Sequence, residues 1–228
     1  VKVNLLVPHE EVEIDDPAVI GAYKTLQPEL IPFVSYPYEW SFSQLKDAAL
    51  ATLAIQKKAL ERDMILKASS AYNIQFVRGK PTLIDTLSFE GYVEGRPWVA
   101  YGQFCRHFLA PLALMSLVDI RLNQLLSVHI DGIPLDLASS LLPFRTKLSF
   151  GMQLHIHAHA KSQARYADRA MGRRRLTAKV SRNAMLGLID SLQGCVSGLK
   201  WNPHGTEWAE YYTDDSYTPE ALEDKRRI

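Results

Sequence analysis

The chain is short of cysteine, shows no excess of either charge, and has no apolar run long enough to cross a bilayer. Cys105 and Cys195 are its only cysteines, each in an apolar, helix-like context, which excludes a disulfide framework and suits free thiols in a reducing compartment. Lys and Arg number 26 against 25 Asp and Glu, so no global field draws the protein to nucleic acid or to an anionic membrane, and a polyanion partner would need a local patch. The longest apolar run, Phe108 to Val118, falls well below the ~20 residues that span a membrane. Internal repeats and low-complexity tracts are also missing, which argues against solenoids and propellers. What remains is 228 residues at 47% hydrophobic content, enough for one sizeable core in a soluble, cytoplasmic domain. The first residue is Val1 rather than methionine, and the chain reads as a trimmed piece of a longer protein.

The pattern predicts a helix-dominated α+β fold: a small N-terminal strand element, one internal hairpin and five or more helices. Residues 1–40 form the strand-containing element, with strands at 1–7 and 30–36 joined through an exposed acidic connection over 10–16. Residues 41–200 form a helical domain, and 201–228 an irregular segment leading to a further domain. Ser41 followed by Gln44 has capping-box spacing, so a helix starts near residue 42, with Leu45, Ala49, Leu53, Leu60 and Met64 on its buried face. Residues 73–78 and 81–86 are β-prone and joined by Gly79-Lys80, the signature of a hairpin. A helix from about Val99 should carry Phe104, Phe108 and Leu112 inward and be kinked or restarted by Pro111. Leu135–Leu142 forms a short helix ended by Pro143, and two further helices cover 147–170 and 181–199, the second capped by Ser181.

Four segments carry a resemblance: Tyr36-Pro-Tyr-Glu-Trp40, Leu66-Lys-Ala-Ser-Ser-Ala-Tyr-Asn73, Ile84-Asp-Thr-Leu-Ser-Phe-Glu90 and Tyr101-Gly-Gln-Phe-Cys-Arg-His-Phe-Leu-Ala-Pro-Leu112. Together they resemble the N-terminal region of bacterial proteins described as SAM-dependent methyltransferases, with Trp208 to Lys225 looking like the lead into the methyltransferase domain. The resemblance implies S-adenosylmethionine as the parent protein's cofactor, and the C-terminal methyltransferase domain of that parent as this segment's partner. Such a domain holds the donor on a glycine-rich turn after its first strand, with an acidic residue ending the next strand. No such combination occurs in this sequence: Gly91 with Gly95 falls in a loop, and Gly194 with Gly198 in a helix. The segment is therefore expected to bind no cofactor and to be non-catalytic alone, aiding substrate presentation.

A more distant likeness lies in spacing. Protein kinases carry an Asp, an Asn five residues on, and a hairpin ending in a metal-binding Asp, so that an amide oxygen and a carboxylate hold Mg²⁺ on a nucleotide's phosphates. Asn73 and Asp85 fall at the latter two positions, after an amphipathic helix and across the hairpin, as in the large lobe of a kinase-like fold. The first position, however, is Ala68, which can neither accept a proton nor orient a nucleophile. There is also no glycine-rich phosphate loop. The alternative reading is thus a kinase-like phosphotransferase or a degenerate nucleotide-binding module. The plainer one has Asn73 capping a turn and Asp85 accepting backbone donors at a strand end.

Three other features invite chemistry. His155, His157 and His159 alternate, so they would line one strand face or, on a helix, leave 155 and 159 as neighbours, yet no third zinc ligand or HExxH motif accompanies them, so no metal site is assigned and core or helix-surface packing is the plainer role. Eight basic residues and one acid lie between Lys161 and Arg182; Arg173, Arg174 and Arg175 at their centre are candidate anion-binding residues. Tyr166 is the lone aromatic near them, which argues against base stacking and nucleic acid. Tyr36, Tyr38, Trp40, Trp98 and Tyr101 could shape a ligand cleft, though such rings more often pack.

Overall fold

In the computed structural model, residues 5–13, 21–161, 179–202 and 218–226 are described. Helices dominate, with a few short antiparallel strands, as the α+β expectation has it. Strand β1 (His9–Val12) pairs antiparallel with β2 (Thr25–Pro28). Both are largely exposed, which corrects the reading of 10–16 as a connection: with neither face buried, the strand carries no hydrophobic alternation. Residues 30–36 are not a strand, and lead instead into a single 3₁₀ turn at Pro37–Glu39.

Helix α1 (Phe42–Leu60) begins at the expected cap: Ser41 Oγ accepts from Gln44 N, and Gln44 Oε1 accepts from Ser41 N at 2.9 Å. It buries Leu45, Leu53 and Leu60 completely or nearly so. Asp63, at φ +55°, then turns the chain, so Met64 opens strand β3 (Met64–Leu66) rather than continuing the helical face. β3 pairs with β6 (Phe89–Gly91), a pairing that strands this short do not announce in sequence.

Between these strands lies the predicted hairpin, β4 (Ile74–Val77) with β5 (Lys80–Leu83). Its link is Arg78-Gly79, one residue earlier than expected, with φ of +50° and +71°. Two consecutive left-handed residues make a turn of type I′, whose twist suits a tight hairpin.

Helix α2 runs through Tyr101–Phe104, a π turn at Cys105–Leu109, and Ala110–Leu117. Pro111 neither breaks nor restarts it. The widened turn instead lets Ala110 N reach Cys105 O, absorbing the proline ring that would crowd the carbonyl four residues back. Helices α3 (Leu125–Val128) and α4 (Leu135–Leu141) follow, then α5, which starts at Phe150–Met152 and passes into a second π turn at Gln153–Ala158.

Helix α6 (Arg182–Gly198), capped by Ser181, packs against α1. The two are tied at both ends: Lys46 Nζ donates to the carbonyls of Ser197 and Leu199 at 2.9 and 2.8 Å, while Arg182 donates to Leu60 O at 2.7 Å and pairs with Asp63. Cations placed on helix C-terminal carbonyls complement the helix dipole. A short α7 (Pro219–Arg226) ends the described chain. The core runs between α1, α2, α5 and α6, centred on Phe104, Phe108, Leu112, Ile156 and Ile189. No described helix is long and apolar enough to cross a membrane.

Candidate functional site

The hairpin brings Asn73 and Asp85 together, as their spacing predicts. Asn73 ends a one-turn 3₁₀ helix (Ala71–Asn73) capped by Ser70, and its carbonyl accepts from Ile84 N at 2.8 Å, which fixes the loop to the far end of the hairpin. Asp85 caps the next turn, Thr86–Ser88.

Both carboxylate oxygens of Asp85 are occupied by its own chain. Oδ1 accepts from Leu87 N at 2.9 Å, and Oδ2 accepts from the Ser88 hydroxyl at 2.6 Å. Asn73 turns its amide nitrogen to the same group, donating to Ser88 Oγ at 3.1 Å and more weakly to Asp85 Oδ2 at 3.4 Å. A magnesium site would need the amide oxygen and a free carboxylate edge. Here a donor points where a cation would sit. The arrangement is a closed polar knot that locks the turn after β5 to the turn before β4, and Lys67 N, donating to Ser88 O at 2.8 Å, joins β3 to it.

Ser88 escapes a sequence reading directed at metal ligands, although its place three residues after a capping Asp is a local signal. Ala68 is half-buried beside the knot and brings no polar atom to it. Removing the Asp85 carboxylate should therefore act on stability. Asp85→Ala loses a cap and two side-chain hydrogen bonds and should cost about 2 kcal/mol in urea unfolding, with Asp85→Asn recovering much of that because Asn also caps.

The histidines fall inward. His155 and His157 are buried and His159 is half-buried, which corrects the helix-surface option. His157 is held between Ser139 Oγ at 2.7 Å and Thr146 Oγ1 at 2.9 Å. His155 bridges Tyr101 Oη at 2.8 Å and Ser191 Oγ at 2.9 Å, a line whose members lie 54 and 36 residues apart in sequence. Burial holds all three imidazoles below their ordinary value, His155 down to about 4 with His159 adding repulsion. Among the described residues no cluster of three or more His, Cys, Asp or Glu side chains could hold a metal ion.

The aromatic residues pack rather than form a cleft. Tyr36 stacks on Tyr38 with ring centres 5.5 Å apart, and Trp40 meets Phe76 edge-on at 5.2 Å while its indole donates to Ser35 Oγ. Trp98 donates to Leu66 O at 2.8 Å and lies against Phe104. Arg173, Arg174 and Arg175 lie outside the described residues. All described strand pairs are antiparallel and two-stranded, and among the described residues no parallel sheet with a glycine-rich turn into a helix is assembled.

Comparison with known proteins gives one curated relative of note. The chain is 34% identical over 206 residues to nodulation protein NoeA of Rhizobium meliloti (strain 1021), an alignment that covers 89% of this chain and 43% of that protein. The chain thus spans less than half the length of the relative it matches. No protein-family profile matches the chain, and no solved structure matches it.

Proposed function

We propose that this chain is the accessory, non-catalytic N-terminal domain of a nodulation-related, SAM-dependent methyltransferase, with a role in presenting substrate to the methyltransferase domain. One observation carries the non-catalytic part. The polar residues that could have formed a phosphoryl-transfer site, Asn73 and Asp85, are spent on Ser88 and on backbone donors, and the position of a catalytic acid is Ala68. The absence of a donor cradle among the described residues supports assigning cofactor binding elsewhere in the parent protein. The alignment to less than half of a nodulation protein supports a larger parent.

Calorimetric titration with S-adenosylmethionine tests the reading. The 228-residue chain should take up none, and the whole parent protein should bind about one equivalent. Stoichiometric uptake by this chain, or none by the parent, overturns it.

A kinase-like phosphotransferase is the second reading, favoured by the placement of Asn73 and Asp85 across one hairpin. A ligand that binds only the folded form raises the melting temperature, by about 2.7 kcal/mol of stabilisation at a hundredfold excess over Kd. ATP with Mg²⁺ should leave the melting temperature of the wild-type chain and of Ala68→Asp unchanged. A saturable rise of several degrees in either would favour this second reading.

A further inference from the structure

The Tyr101–His155–Ser191 line does not end in the core. Ser191 is half-buried on α6 and opens on a cleft of about 530 Å³ between α5, α6 and the segment before α5. Leu117, Phe150 and Met152 give the cleft apolar walls, and Arg145 stands among its lining residues with no acidic residue beside it there. Among the described residues Arg145 has no ion-pair partner. Among the described residues, the cleft therefore combines an apolar body with one cation that no acid pairs.

Because Tyr101 also bonds the Cys105 thiol, the hydrogen bonds of the line are satisfied in either of two directions, set by the His155 tautomer, and one of them aims a donor at the cleft. In that one, Tyr101 is kept protonated by burial and offers one O–H, which His155 Nδ1 can accept. The neutral imidazole then carries its proton on Nε2 and donates it to Ser191 Oγ. That leaves the Ser191 hydroxyl proton free to donate into the cleft, polarised by two hydrogen bonds in series behind it. A donor and a cation facing an apolar cavity select an anion.

Two further facts set this place apart. Both π turns of the described residues lie along this line, one carrying His155 and the other starting one helical turn after Tyr101; such turns cost hydrogen-bond quality and are frequent at functional sites. Pro111 accounts for the first, and no proline lies in the second. On the cleft wall, Gly194 sits inside α6 with no atom within 4 Å of where a Cβ would project, so packing does not require a glycine. It keeps the space open at a cost of about 1 kcal/mol of helix propensity relative to Ala.

We propose that this cleft binds a small organic anion with an apolar body, its charge taken by Arg145 and its anionic oxygen hydrogen-bonded by Ser191, which His155 and Tyr101 hold in position. The inference is independent of the methyltransferase reading.

Calorimetric titration of the full chain with octanoate is the test, with octylamine as the cation of equal length. Octanoate should bind saturably at one site and octylamine should not. Arg145→Ala should weaken octanoate about tenfold or more, and Ser191→Ala several-fold, the losses expected for one charge-assisted and one ordinary hydrogen bond. Gly194→Leu fills the cleft: it should abolish binding while raising the melting temperature, because a helix-favouring residue replaces glycine in open space. That pairing separates loss of the site from loss of the fold. The imidazole nitrogen shifts of His155 should report the Nε2–H form and change in Tyr101→Phe, which a merely packed ring would not do. No saturable octanoate binding, equal binding of octylamine, or unchanged affinity in Gly194→Leu overturns the proposal.

Discussion

Between neutral pH and about pH 4.5 the protein should lose about 5 kcal/mol of stability, enough to unfold a typical domain, whose whole margin is about 5–15 kcal/mol. The cause is two buried imidazoles. His107 lies in the π turn of α2 at 2% exposure, with its Nδ1 unpartnered and its ring edge-on to Tyr72 at 6.1 Å; burial first, and then Arg106, push it down to about 4, against smaller upward pulls from Asp131. His155, fully buried, is pushed to about 4 by burial and then by His159. Both values lie below the unfolded value of about 6.5, so in this window the unfolded chain binds more protons than the native one. Stability is therefore complete above about pH 6.5, falls as pH drops toward 4, and levels off below that. At about pH 4.5 each group contributes a loss of about 2.5 kcal/mol, and His157 and His159 shift in the same direction. Urea midpoints followed by circular dichroism across this range should fall steeply, and His107→Gln, which cannot take up the proton, should remove about half of the slope. A midpoint that stays flat from neutral pH to 4.5 would show that the two rings are solvated or already charged in the native state.

What could be read from the sequence, and what could not, follows the range of the forces involved. The start of α1 was legible because Ser41 and Gln44 satisfy each other within one turn, and the capping of α6 by Ser181 is equally local. The hairpin was legible to within one residue. The error came from assigning the second turn position to Lys80, whereas Arg78 accepts a left-handed conformation that is costly for a residue with a Cβ. Helical periodicity ran on through Met64 because nothing in the pattern marks Asp63 as the residue that turns the chain. β1 was hidden by its own solvation, since four residues exposed on both faces look like a loop. At the candidate site the Asn73 and Asp85 spacing was readable because a hairpin of fixed length joins them. The saturation of Asp85 by Ser88 and Leu87 decides its chemistry, and that depends on which rotamers the turn allows. Tyr101, His155 and Ser191 sit on three different helices, and no local pattern links residues that meet only when those helices pack.

Replacing Gly151 with alanine should destabilise the protein by about 2–3 kcal/mol, although the same change at an unobstructed helical position gains up to about 1 kcal/mol. Gly151 lies in α5 where it crosses α6, and a Cβ built on it would stand 2.1 Å from Cys195 Sγ, far inside any contact distance. The sulfur is one rotatable bond from a helix backbone, and burial already holds that thiol above its ordinary value, so the relief available is a χ1 change or a separation of the helices. The next nearest atom, Cys195 Cβ, is 3.8 Å away, an ordinary van der Waals contact. The obstruction is thus the sulfur alone, and this gives the prediction its sharp form. In a Cys195→Ala background, Gly151→Ala should become neutral or stabilising, a coupling of about 2–3 kcal/mol between two positions that neither charge nor hydrogen bonding connects. A double-mutant cycle from urea unfolding measures it. Additive effects would mean that α5 and α6 stand further apart than described, and the cleft that Gly151 and Cys195 help to line would then be wider at its floor as well.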